Sequence, residues 1–270
     1  MTAPPPPPIL PADRPPAPAF AEAAGQVMAR QIRSAVRGKR LLAAVLLAAV
    51  APLLAALLRD PDPVTLEAIV GLLVLPFLVP LVAVSLGSGL LYDEAEEGTL
   101  TFLFSAPVPR SAVVLGKWSA ALAAGWAVAF AALGATFLLT SVDTGAIRPF
   151  VKACWLAVLL GVPAYLGVFV LLGTIFRRGF FAGLIYAFGF ELVLSFVPGA
   201  AKRLSLGFFL HSLVEPHAPD REPFEPFFLG LPPDPEGVCI GVLLGVALIT
   251  MAAALLVAPH KEFQARNVQG

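Results

Sequence analysis

The chain has 270 residues, 58% of them hydrophobic and 13% charged, with 18 basic and 18 acidic side chains that leave no net charge. Soluble domains carry about 25% charged residues, so this chain cannot face water on all sides, and its mean hydropathy is +0.86. Bulk disorder, a basic nucleic-acid surface and a disulfide scaffold on two cysteines are excluded, which leaves an all-α polytopic membrane protein.

Residues 1–19 are dominated by proline, contain no apolar leader and predict a disordered tail. In residues 20–38, Phe20, Ala24, Met28, Ile32 and Val36 share one helical face, while Gln26, Arg30, Arg33 and Arg37 share the other. A basic amphipathic helix of this kind lies in the headgroup layer; the alternative is the charged start of a longer first span.

Crossing about 30 Å of hydrocarbon takes roughly 20 apolar residues. Within 39–260, six stretches qualify: Leu41 to Leu58, Ala68 to Tyr92, Trp118 to Val142, Ala153 to Phe176, Gly179 to Ala201 and Gly237 to Pro259. The fifth carries Glu191, the only acid expected inside a span. Pro76 and Pro80 in the second, and Pro163 in the fourth, are candidate kinks. Gly241 and Gly245 in the sixth would let another helix approach. The segment from Lys202 to Glu236 contains apolar pieces too short to cross, suited to interfacial or re-entrant structure, with acids that keep it wet. Residues 261–270 form a short tail. With both termini inside, twelve Lys and Arg fall on the inner side and six on the outer, so the positive-inside rule places the termini in the cytoplasm.

The inner loop between the second and third spans reads Asp93-Glu94-Ala95-Glu96-Glu97-Gly98-Thr99-Leu100, then Leu103-Phe104, Pro107-Val108-Pro109-Arg110 and Leu115-Gly116-Lys117. Acids at a helix start meet the positive end of its dipole, and Leu100, Leu103 and Phe104 align at helical spacing. A short helix with an acidic end follows, stopped by the prolines; the plain alternative is a solvated loop.

These residues resemble the signature of the ABC transporter type-2 permease family. There, a Glu-Arg-Glu-x-Gly-Thr-Leu motif, a Pro-Val-x-Arg turn and a Gly-Lys occupy this loop; Ala95 stands in place of the basic residue. The resemblance implies a six-helix transmembrane subunit of an ATP-driven exporter of the inner membrane. A coupling helix between helices 2 and 3 would dock on a separate ATPase subunit, with Glu94, Glu96, Glu97, Gly98, Thr99, Leu100, Arg110 and Lys117 as the coupling residues. The helix from Phe20 would be the connecting helix. Two permease copies, identical or different, would line the path with spans two and five. ATP and Mg would belong to the partner, and this chain would hold no cofactor.

No phosphate loop is present: Gly116-Lys117 and Gly38-Lys39 both lack the preceding glycine spacing and the following Ser or Thr. Intramembrane acids usually face a bundle interior and mark function, so Glu191 is a candidate gate or pathway residue; the alternative is a carboxyl bonded to a neighbouring helix or turn. His211 and His217 lack a third spaced metal ligand, and Cys154 and Cys239 read as separate thiols. The rival functions are an ion-coupled carrier using Glu191, though no internal repeat is evident, and a membrane-embedded hydrolase, for which Glu96-Glu97 is the sole feature.

Overall fold

A computed structural model describes residues 20–35, 39–58, 63–88, 110–140, 142–143, 145–176, 178–197, 199–220, 222–228 and 231–257. All regular structure among them is helical. The chain begins with α1 (Phe20–Ala35), and the first span is α2 (Lys39–Ala48) and α3 (Val50–Leu58), separated by a turn at Ala49. Pro52 has no N–H to offer four residues back, yet Ala49 still donates to Val45 and Leu53 to Ala49, so the rod continues.

The second rod is α4 (Pro63–Ile69), a wide π-helical segment Val70–Leu78 and α5 (Val79–Gly87). It starts five residues before the apolar run, with Pro63 at its first position, where an N–H is not needed. Glu67 therefore lies inside a helix and is fully buried, so Glu191 is not the only acid among the spans. Next come α6 (Arg110–Leu139) and α7 (Arg148–Ile175). The following rod is α8 (Gly179–Leu184), a second π segment Ile185–Glu191 and α9 (Leu192–Phe196). A turn with Gly199 at φ 86° leads through short 3-10 turns to α10 (Leu206–Val214), α11 (Glu225–Phe228) and α12 (Glu236–Val257).

Among the described residues, five helices are long and apolar enough to cross a membrane: Arg40–Leu58, Val64–Gly87, Ser111–Leu139, Arg148–Ile175 and Glu236–Val257. The Gly179–Leu194 helix is apolar but shorter. Burial separates central from peripheral rods: 72% of the apolar window is inside for Val64–Gly87 and Arg148–Ile175, against 28% for Arg40–Leu58 and 22% for Glu236–Val257. Helix α7 is the hub, packed by α5, α6, α8, α10 and α12. Helix α10 is buried along nearly its whole length, including His211 and Ser212, and Glu215 just beyond it is buried too. That part of the segment is held in the protein rather than kept wet by its acids. Gly241 and Gly245 face open space, with nothing near enough for a close helix contact.

Proline inside a span removes a donor where no water can replace it. Pro163 deprives the Leu159 carbonyl, four residues earlier, of its helical partner; Trp126 on α6 donates its indole Nε1–H to that oxygen at 3.1 Å. The second rod shows the same arrangement. In its wide turns a carbonyl accepts from the residue five ahead, as Val74 does from Val79. Five ahead of Gly71 is Pro76, and the Gly71 carbonyl lies 2.9 Å from His211 Nε2 on α10.

Trp126→Phe should therefore lower stability by about 1–3 kcal/mol, the penalty of a carbonyl left without a donor inside a span. In a Pro163→Ala background, which restores a helical N–H, most of that loss should vanish. Unfolding of the four proteins in detergent provides the double-mutant cycle, and additive effects would contradict the pairing.

Candidate functional site

The acidic stretch Glu94, Glu96, Glu97, Gly98, Thr99 and Leu100 lies outside the described residues, which resume at Arg110, the first residue of α6. What the structure describes is the frame that holds the two ends of this loop. The rod leading into it ends at Gly87 and Ser88, where Ser88 Oγ donates to the Val84 carbonyl at 2.6 Å. The Ser88 carbonyl oxygen is packed against Gly173 near the end of α7 and Gly179 at the start of α8, so closely that a β-carbon on either would collide with it. Three rods thus meet backbone to backbone, a contact open only to residues without side chains.

The chain leaving the loop is seated in the same way. On Gly116 a β-carbon would lie 2.5 Å from the Ala24 carbonyl of α1 and 2.9 Å from Val27. Ala23, Ala24 and Ala112 form a small apolar cluster at this crossing. Ala23 and Ala24 are buried at this crossing, while Phe20 and Ile32 are exposed. Lys117, next in the chain, is a buried side chain in α6.

A second polar site lies at the opposite ends of these rods. The Glu191 carboxylate is 6% exposed and accepts hydrogen bonds from five donors. They are the hydroxyls of Tyr165 (3.2 Å), Tyr186 (3.0 Å) and Ser205, and the backbone N–H groups of Leu206 (3.0 Å) and Gly207 (3.1 Å). The two N–H groups open α10 and have no partner within that helix. Ser205, in the N-cap position, turns its hydroxyl toward Glu191 instead of capping, so a carboxylate from another rod caps α10 and meets its positive end.

Helix α10 in turn reaches the second rod through His211. Its ring nitrogens lie 2.7 Å from the Gly207 carbonyl and 2.9 Å from the Gly71 carbonyl. The ring sits between two carbonyl acceptors, and a proton on Nε2 lets it donate to Gly71. The two wide-turn segments face each other beside this node, with the Phe77 and Phe188 rings 6.0 Å apart. Glu67 extends the pattern by accepting the Asp220 N–H at 2.9 Å.

No group of three or more His, Cys, Asp or Glu among the described residues is arranged to hold a metal. Cys154 and Cys239 are buried free thiols. Sequence reasoning picked out Glu191, Gly116 and Lys117 but missed Gly173, Gly179, Tyr165, Tyr186, Ser205 and the bridging role of His211. Pro76 was the available signal for His211, since a proline in a span calls for an external donor.

The sequence profile described as "ABC-2 family transporter protein" matches residues 26–205, two thirds of the chain, from α1 to the edge of the Glu191 node. No individual curated protein matches it.

Gly173→Ala or Gly179→Ala should lower the unfolding midpoint in detergent by an amount equivalent to about 1–3 kcal/mol, since backbone has to move. Gly241→Ala, with open space around it, should leave the midpoint unchanged or raise it slightly. Glu191→Gln keeps the shape but turns a donor toward donors; a loss of about 2 kcal/mol is expected from weakened charged hydrogen bonds, with faster hydrogen exchange at Leu206 and Gly207.

Proposed function

Because the chain belongs to the ABC-2 transporter family, we propose that it is the six-span permease subunit of an ATP-driven exporter that works with a separate ATPase. The observation that carries this reading is the family match across the acidic loop, together with the frame that seats both ends of that loop on glycine contacts. A loop that transmits force needs rigid ends. Ser88 is wedged between two other rods and Gly116 is pressed onto α1, so a push on the loop reaches five helices at once.

In this reading Glu94, Glu96, Glu97, Gly98, Thr99 and Leu100 contact the ATPase, and Arg110 and Lys117 anchor the exit of the loop. ATP and Mg reside in the partner, whose closure drives alternating access in a pair of permease copies. The Gly179–Phe196 rod is the fifth of six crossings; its 18 residues reach about 27 Å at 1.5 Å per residue. The charge asymmetry puts the acidic loop and both termini in the cytoplasm of a cell membrane. Wide helical turns recur at functional sites, and the two here belong to the spans expected to line the path. Glu191, tying one of them to α10, then shapes the outer gate. The ion-coupled carrier is disfavoured because the carboxylate oxygens of Glu191 are committed to five donors.

The chain expressed with a partner ABC ATPase should co-purify with it and raise ATP turnover in vesicles, and Glu94→Ala with Glu96→Ala should weaken both without changing permease abundance. A cysteine at Gly98 should resist an impermeant reagent in intact cells and react in inverted vesicles; labelling from outside would overturn the topology. Transport at the parental rate by Glu191→Gln, at equal expression, would remove the gate assignment.

A further inference from the structure

A small cavity lies where the two wide segments face each other, between Pro76 and Phe77 of the second rod and Ala187 and Phe188 of the Gly179–Phe196 rod, with Glu191 and His211 beside them. Its volume is about 20 Å³, and one water needs roughly 10–15 Å³ on this measure. The backbone around it is short of donors. In the first wide segment Val79 donates five residues back, to Val74. The ladder then returns to four-back bonding in α5, which passes over the Leu75 carbonyl, and Pro80 brings no N–H for the Pro76 carbonyl. By the same count, the return from the second wide segment to α9 passes over the carbonyl of Phe188. Pro76 and Phe188, which carry two of these carbonyls, both line the cavity. We infer that the cavity is a binding site for one water, which donates to the backbone of both wide segments and joins the two rods.

Size and hydrogen bonding both select this occupant. Carbonyls inside a span need donors, and the nearby side chains have already given theirs: Tyr165 and Tyr186 donate to Glu191, and His211 to Gly71. A water carries two donors on one oxygen and can serve two carbonyls at once. A cation is opposed, because Glu191 is the one anionic group on the cavity wall and its oxygens already face five donor hydrogens. An apolar occupant would leave the carbonyls bare, and the space is little larger than a single water. The site follows from helix geometry and is independent of the transport reading.

The test exposes the full chain in detergent to a synchrotron X-ray pulse, which splits bound water into hydroxyl radicals, and reads the oxidised side chains by mass spectrometry. Tyr165 and His211, each 1% exposed and on the cavity wall, should be oxidised. Phe150 and Phe169, both fully buried and off that wall, should not. Filling the cavity with Ala187→Leu should remove the oxidation of Tyr165 and His211 and leave that of the exposed Phe181 unchanged. Ala187→Ser, a smaller change that puts a hydroxyl at the same wall, should lower it in the same direction and serves if the leucine variant does not fold. Unmodified Tyr165 and His211 in the parent, or undiminished oxidation in a folded Ala187 variant, would overturn the proposal. Equal oxidation of Phe169 would do the same, since it would show bulk water entering an opened bundle. So would a thermal midpoint that rises with sodium chloride but not with choline chloride, the mark of an ion in place of water.

Discussion

Inside hydrocarbon every backbone polar group must find its partner within the protein, and this chain places prolines where that requirement is hardest to meet. The Leu159 and Gly71 carbonyls lose their helical donors to Pro163 and Pro76, and each is met by a side chain from a neighbouring helix, Trp126 or His211. Each substitute bond fixes the rotation and height of one rod against another. A weakness within a helix is thereby turned into a link between helices, and α6, α7, α10 and the second rod owe part of their register to it.

Glu191 obeys the same constraint with the signs reversed. A buried carboxylate is tolerated only when its oxygens are saturated with donors, and the unpaired N–H groups at the start of α10 need an acceptor. The two needs are met together, with Tyr165, Tyr186 and Ser205 completing the shell. At the other ends of the rods polar groups matter less than shape. The Ser88 carbonyl sits where Gly173 and Gly179 have no side chain, and α1 rests where Gly116 has none. One end of the bundle is pinned by hydrogen bonds, the other by backbone contact. Ser88 and Gly116, described residues on either side of the acidic stretch in sequence, both take part in these contacts.

Much of this was legible in the residues. Apolar runs located the spans to within a few residues, although helices extend past the charges taken as their limits: α6 runs through Lys117 and the second rod through Glu67. A helix does not stop at a charge when packing buries it, and composition alone does not reveal packing. Periodicity marked α1 as amphipathic, but it did not reveal that Ala23 and Ala24 meet Ala112 of α6. The partners of Glu191 were out of reach, since Ser205 and Leu206 lie 14 and 15 residues further along the chain, past the end of its rod, and Tyr165 belongs to another helix.

By itself the sequence determined that the chain must live in a membrane as helices, where those helices lie, and which loop carries the family's signature. Those properties follow from local composition and spacing, and a hydrocarbon solvent enforces them on each segment separately. Which orphaned carbonyl meets which side chain, and where a missing β-carbon lets two backbones touch, were decided only by the tertiary structure. These depend on the relative height and rotation of rods far apart in the chain, and no single segment encodes them.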